Sequence, residues 1–228
     1  MNKIYLVLFI GLLILGCKAK TENQNINQKK VELNKELVEE LESMVEIDQI
    51  AASNAFPPEK YSYLTQLKWE SFKDSIYQKN QKRTKEILDK YGFAGYNLVG
   101  KKGSKNFWLI VQHSDHNPEF QKQVLKKMKV EVDKKNADPS NYALLVDRVK
   151  LNTGEKQVYG TQVDFNHKVA QAFPKNLADS LGVNERRKSV GLKPIEEYLN
   201  EMSKMHFEMN KARYEELGIT GPKLYKKE

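Results

Sequence analysis

The chain carries the same helix-start signal twice, and this signal constrains its fold more than any other feature. Asn117 precedes Pro118, and Asp138 precedes Pro139. Asparagine and aspartate side chains accept hydrogen bonds from the free N–H groups of a first helical turn, and proline suits the first helical position. Apolar residues at helical spacing follow both starts: Phe120, Val124 and Met128, then Tyr142, Leu145, Val146 and Val149. Two consecutive helices are therefore predicted here.

Helical patterns also flank this region. Four further segments combine helical apolar spacing with a start or stop signal: 31–52, 63–91 before Gly92, 184–190 before Gly191, and Pro194 to about Leu217. Asp48 continues the apolar stripe of the first of these helices, so its side chain does not obviously face solvent. These patterns predict a mainly α domain.

Two segments break the helical pattern. Residues 92–105 are rich in glycine and lysine, and we interpret them as a basic loop with Ser104 as a cap. The turn signal NTGE follows residues 149–151 and precedes QVYGTQV, in which Tyr159, Thr161 and Val163 alternate with the residues between them. This pattern predicts a β-hairpin within 149–163. The apolar run 106–113 fits a strand or a helix. The expected fold class is an irregular, mainly α domain with one minor β-hairpin.

The N-terminal segment is expected to direct export. Lys3 precedes an apolar stretch that ends at Leu15, shorter than the roughly 20 residues of a membrane-spanning helix. Leu15-Gly16-Cys17 resembles the bacterial lipobox, which implies lipidation of Cys17; a plain secretory signal is the alternative. We expect a signal peptide at 1–16, the anchoring cysteine and a flexible tether at 17–30, a single domain at 31–218 and a C-terminal tail at 219–228.

Composition limits the class of protein. The chain has 228 residues, 39% of them hydrophobic, which suffices for one domain with a buried core. Cys17 is the only cysteine, so packing without disulfides must hold that core. The charge of +8 lies on lysine-rich helices without interleaved aromatics, so no nucleic-acid partner is expected. We expect a lipid-anchored envelope protein, at the outer membrane of a Gram-negative host because Lys18, not aspartate, follows Cys17.

The stretch QHSDHN, 112–117, places two histidines and an acid, His113, Asp115 and His116, within four positions. Two histidines three apart suit a metal on a helix, but neither the HExxH spacing nor a cysteine pair accompanies them, so no metal cofactor is expected. A histidine oriented by a carboxylate suits acid–base catalysis at neutral pH. Alternatively, the three side chains only satisfy hydrogen bonds at a helix junction.

Two further motifs contain arginine, namely Asp147-Arg148 and Arg186-Arg187. Arginine binds carboxylate or phosphate groups with two parallel hydrogen bonds, so these residues are candidates for an anion site. The structural alternative is an internal ion pair between Asp147 and one of the last two arginines. Neither a phosphate loop nor the GxSxG turn of serine hydrolases occurs in the chain.

Several motifs resemble a bacterial family known only as a domain of unknown function. Members carry similar strings in the same order, and the likeness extends from about Leu37 to Leu199. The matching strings here are QHSDHNPEFQ, LLVDRV, QVYGTQ and NERRKSVGLKPIEEYL. The chain departs from the family pattern at Phe93-Ala94, where relatives tend to have Trp-Pro, and at Asn117, where aspartate is usual. Relatives are often alanine-rich where this chain reads NFWLI, which implies a helix there.

The resemblance implies that the polar motifs recur together, although it implies no reaction, and we hypothesise that they converge in one cleft. The candidate catalytic residues are His113, His116 and Asp115. The candidate ligand-binding residues are Asp48, Gln49, Gln112, Asp147, Arg148, Tyr159, Gln162, Arg186 and Arg187. Three functions fit: binding of a small polar or anionic ligand, which we favour; hydrolase or lyase chemistry with a histidine base; or a buried polar network that only specifies the fold.

Overall fold

A computed structural model describes residues 32–226, which form a mainly α fold with one minor β-hairpin, as expected. The predicted signal peptide at 1–16 and the predicted anchoring cysteine and tether at 17–30 lie outside the described residues. This part of the chain contains eight α-helices, one 3₁₀ turn and two strands. In chain order they are α1 Lys35–Ser53, the 3₁₀ turn Glu59–Tyr61, α2 Gln66–Tyr91, α3 Tyr96–Gln112, α4 Pro118–Asp133, α5 Pro139–Asn152, β1 Val163–Asn166, β2 Gln171–Pro174, α6 Val183–Ser189, α7 Ile195–Met209 and α8 Lys211–Glu216.

The helix-start signals are confirmed by hydrogen bonds. Asn117 Oδ1 accepts from the N–H of Phe120 at 3.0 Å, at the start of α4. Asp138 Oδ1 accepts from the N–H of Ser140 at 2.8 Å, at the start of α5. Because each cap satisfies backbone donors that helical bonding leaves free, these helix starts are set locally. Gly92 ends α2 with a positive φ of 79°, as predicted.

Helices α1 to α5 enclose the main hydrophobic core. Its centre is formed by residues with no more than 1% exposure: Leu41, Ile87, Leu88, Ala94, Phe107, Ile110, Val111, Val124, Met128 and Leu145. A smaller cluster lies between the hairpin and α7, around Ala172 and Leu199. No helix within residues 32–226 is long and apolar enough to cross a membrane.

The prediction of a basic loop at 92–105 was wrong over most of its length. Helix α3 begins at Tyr96, continues through a kink at Gly100 and buries Ser104. A side chain at Gly103 would meet Val99 at 2.7 Å. The glycines therefore permit a kink and tight packing rather than a loop. The apolar run that follows is helical, as the resemblance implied.

The predicted position of the hairpin was also wrong. Residues 149–151 remain in α5, and the antiparallel strands pair Val163 with Pro174 and Asn166 with Gln171. Residues 157–162 contain the alternation on which the strand prediction was based, yet they form a loop that turns at Gly160, with φ 68°. A buried side chain holds this loop, as described below, and this replaces the strand pairing that the alternation predicted.

The C-terminal region departs from the sequence prediction in two ways. The long helix breaks at Asn210, whose side-chain N–H donates to the carbonyl of His206 at 2.9 Å. The last described residues, expected only as a tail, are held by hydrogen bonds. The N–H of Tyr225 donates to Asn200 Oδ1 at 2.7 Å, and its hydroxyl donates to the carbonyl of Ala172 at 2.9 Å. The tail thus packs on the second cluster.

Candidate functional site

A short contact between two titratable side chains joins Asp48 of α1 to His113, which directly follows α3. Asp48 Oδ2 lies 2.5 Å from His113 Nδ1. The aspartate is completely buried, whereas 20% of the histidine side chain is exposed. Asp48 also accepts from Gln49 Nε2 at 3.2 Å and from Asn80 Nδ2 at 3.4 Å. All its partners are side chains, and only one of them is titratable.

The Asp48 carboxylate fixes the orientation and the tautomer of His113. An ionised carboxylate only accepts hydrogen bonds, so Nδ1 must carry the proton. Nε2 then lies on the opposite side of the ring as the basic nitrogen, and it makes no hydrogen bond to any other residue within 32–226. A histidine held by a buried acid is an arrangement that suits general-base catalysis.

His113 lines an open cavity of about 370 Å³ between α2, the α3–α4 junction and α5. The size is within the range of sites for small molecules. The cavity is lined by Asp74, Tyr77, Gln78, His113, Asp115, His116 and Arg148, and we call it the His113 pocket. The structure therefore brings together five of the residues that the sequence suggested, because Asp48 lies directly behind the lining residues His113, Asp115, His116 and Arg148.

Asp115 and Arg148 form an ion pair with each other within this pocket. Arg148 donates from Nε to Asp115 Oδ1 at 2.8 Å and from Nη2 to Oδ2 at 2.5 Å. Asn152 and Gln121 also donate to Oδ1 of the same carboxylate. Burial raises the pKa of Asp115, but the hydrogen bonds and charge of Arg148, together with the hydrogen bonds from Gln121 and Asn152, hold this pKa below its usual value. Asp115 is thus unsuited to act as a base near neutral pH and does not contact His113.

Tyr77 and Asp74 were not identified from the sequence. The Tyr77 ring centre lies 5.7 Å from that of His113, so the phenol forms one wall of the pocket. Burial raises the pKa of Tyr77, and the carboxylates of Asp48, Asp74 and Glu70 raise it further. The missed signal was spacing, since Asp74, Tyr77 and the buried Asn80 follow one another every third residue on α2 and share a face.

A second, structural network lies around Asp147. This carboxylate is completely buried and accepts from the N–H groups of Val158, Tyr159 and Thr161 at 2.7, 2.9 and 2.9 Å. The Thr161 hydroxyl donates to it at 2.9 Å. Asp147 thereby holds the 157–162 loop on α5, which is the role of an anchor and not of a ligand-binding group.

The two neighbouring arginines are also engaged by this loop. Arg187 is 1% exposed and donates from Nη1 to the carbonyl of Tyr159 at 2.7 Å and from Nε to that of Lys193 at 2.6 Å. Arg186 donates from Nε to the carbonyl of Val158 at 2.9 Å and pairs with Asp179 at 2.8 Å. The expected ion pair with Asp147 does not form, because the loop backbone lies between the charges.

Three glutamines complete the placement of the predicted residues. Gln49 reaches Asp48 and supports the pocket. Gln112 is buried against α5, where its amide lies 3.3 Å from the N–H of Leu145. Gln162 belongs to the loop, and its N–H donates to Gln157 at 3.0 Å. The motifs therefore divide between two places, and the hypothesis of one common cleft was wrong.

The geometry offers no evident metal centre in the part of the chain that the structure describes. No group of three or more His, Cys, Asp or Glu side chains lies in a suitable arrangement among residues 32–226. His113 is held by Asp48, and Asp115 by Arg148, while His116 is exposed at the pocket edge without a hydrogen bond to those residues.

Fold and site together define a helical domain with one aspartate–histidine pair at a small polar pocket. Comparison with known proteins gives the family. The model of a family of unknown function (DUF6624) matches residues 32–207, and the chain belongs to this family. No curated protein and no solved structure matches the chain.

Proposed function

We propose that the His113 pocket binds a small polar molecule and that His113 acts on it as a general base, in a hydrolase or lyase reaction. The observation that carries this proposal is the 2.5 Å contact between the buried Asp48 and His113 Nδ1. Burying an ionised carboxylate is costly unless a partner compensates. A histidine partner that also lines a cavity suits proton transfer to or from a bound molecule.

The alternative of an anion-binding protein has weaker support from the geometry. It relied on Arg148, Arg186 and Arg187 as recognition groups. The first is occupied by Asp115, and the other two donate to backbone carbonyls of the 157–162 loop. Because bidentate recognition of an anion needs a free guanidinium edge, this support for the alternative is reduced.

The proposal also includes the location inferred from the sequence. A signal peptide with lipidation at Cys17 would anchor the domain to the bacterial envelope through a polar tether, at the outer membrane of a Gram-negative host. Mass spectrometry of the membrane fraction tests this part alone. A diacylated N-terminal Cys17 is expected, and an unmodified Cys17 in a released protein contradicts it.

A panel of chromogenic esters, amides and phosphate esters tests the catalytic proposal. For any compound that is turned over, His113→Gln should lower the rate at least about 100-fold, which is the lower limit for loss of a general base. His116→Gln is the matched control, because it alters the same pocket without breaking the contact with Asp48. A rate that survives His113→Gln contradicts the proposal.

Binding data distinguish catalysis from binding alone. If His113 acts as a base, its replacement should abolish turnover and leave substrate affinity within a few fold. If the panel shows no turnover and His113→Gln weakens the binding of a captured small molecule, the domain is a binding module. If neither histidine variant changes anything except unfolding free energy, the polar cluster only specifies the fold.

A further inference from the structure

The charges of the His113 pocket bear on the kind of molecule that it accepts. Among its lining residues, two are aspartates and one is an arginine. A third aspartate, Asp48, lies directly behind His113. With neutral histidines, the site therefore carries a net negative charge, which opposes the anionic ligands that the sequence suggested.

The single arginine does not reverse this conclusion. Arg148 and Asp115 form a two-bond ion pair, so their charges largely cancel for a molecule in the pocket. Asp74 makes no salt bridge or side-chain hydrogen bond within residues 32–226. Its carboxylate is therefore the unneutralised charge at the pocket surface.

An aromatic wall lies beside this carboxylate. Tyr77 is one helical turn after Asp74 on α2, and its ring is tilted by 53° against that of His113 at 5.7 Å. The face of a tyrosine ring attracts cations and packs against adjoining methylene groups. A carboxylate next to an aromatic face is a combination that suits an ammonium group and repels a carboxylate or phosphate.

We propose that the His113 pocket selects a small amine in its ammonium form, with the charge beside Asp74 and the adjoining carbons against Tyr77. This inference rests on the proposed ligand-binding role of the pocket, but it requires no catalysis. It identifies the substrate class as amine-bearing compounds and places the positively charged end on the α2 side, away from Arg148.

Three probes of nearly equal size test the charge selection: butylamine, 1-butanol and butyrate. Binding to the purified protein at neutral pH is followed by the NMR signals of the His113 and Tyr77 rings. Butylammonium should bind about tenfold more tightly than 1-butanol, and butyrate more weakly than either. Asp74→Asn should abolish the advantage of the amine.

Asp89→Asn is the matched control, since it removes one negative charge from the same helix at a residue that pairs with Lys85 outside the pocket. The inference is overturned if butyrate binds best, if none of the probes shifts these signals, or if the amine advantage survives Asp74→Asn. The His113→Gln variant separates this inference from catalysis. Loss of turnover with no preference for amines would retain the proposed function and reject the charge selection.

Discussion

Asp48 and Asp147 are both completely buried, yet their surroundings differ in kind. Asp147 accepts hydrogen bonds from three backbone N–H groups and one hydroxyl of a single loop. Asp48 contacts only side chains, and the closest of them is a histidine at a cavity. The comparison separates an acid that organises the backbone from an acid that prepares another side chain for chemistry.

The largest expected effect is on the Asp147 side of this comparison. Asp147→Asn preserves volume but replaces one of the two accepting oxygens with an amide donor, which then faces donors of the loop. Leaving a buried donor unpaired costs about 1–3 kcal/mol and the remaining bonds lose their charge assistance, so the free energy of unfolding should fall by about 3 kcal/mol. Urea denaturation measures the change, with Asp89→Asn as the exposed control. A loss as small as that of the control would show that the loop does not depend on Asp147.

Arg187→Met should have the next largest effect. The guanidinium is buried, donates to the carbonyls of Tyr159 and Lys193, and lies 4.8 Å from the centre of the Tyr198 ring. Losing two charge-assisted bonds should cost about 2–3 kcal/mol in urea denaturation, reduced by the removal of a desolvated charge. Arg186→Met, at a partly exposed position, should cost less. A larger loss for Arg186→Met than for Arg187→Met would mean that the exposed arginine, not the buried one, holds the 157–162 loop.

Asp48→Asn should affect stability least among these buried positions, at about 1 kcal/mol or less. The partners of Asp48 are side chains that can reorient, and the substitution removes a desolvated charge. Turnover, by contrast, should fall at least about 100-fold, because a carboxylate no longer fixes the tautomer of His113. Parallel unfolding and rate measurements check this. A loss of stability equal to that of Asp147→Asn would erase the distinction between the two acids.

The smallest effect is expected from the pH dependence of a third polar group. His206 stacks on Phe165, and its Nε2 lies 2.9 Å from the Tyr214 hydroxyl. Burial lowers the pKa of His206, and the nearby His167 and Arg213 lower it further. As the pH falls, the histidine of the unfolded chain therefore takes up its proton at a higher pH than that of the folded chain. The contribution of His206 to the free energy of unfolding is complete above the ordinary pKa of 6.5 and is lost as the pH falls below it. His206→Gln should flatten this part of the curve.

The fold class and the helix starts could be predicted from the sequence because their causes are local. Asn117 and Asp138 bond N–H groups within three residues, and such bonds leave a readable signature. The hairpin could not be placed correctly, since the alternation at 157–162 belongs to a loop that Asp147 holds. Almost every residue has a backbone N–H group, so a carboxylate that accepts from such groups leaves no recognisable partner in the sequence.

The candidate site was predicted only in part, for a related reason. His113, Asp115 and His116 stand together in the sequence, and Asp48 attracted notice as an acid on an apolar stripe. Their true pairing, Asp48 with His113 and Asp115 with Arg148, joins residues 65 and 33 positions apart. Neighbouring residues in the motif thus face different partners, which only the packing of α1, α3 and α5 determines.

The most direct test of this account is the tautomer of His113, read from long-range ¹H–¹⁵N NMR spectra of the histidine side chains. The chain has only four histidines, so single His→Gln variants suffice to assign the signals. At neutral pH we predict a proton on Nδ1 and a bare Nε2 for His113, and a loss of this fixed state in Asp48→Asn but not in Asp89→Asn. A proton on Nε2 in the wild-type protein, or spectra unchanged by Asp48→Asn, would contradict the claim that Asp48 prepares His113 as a base.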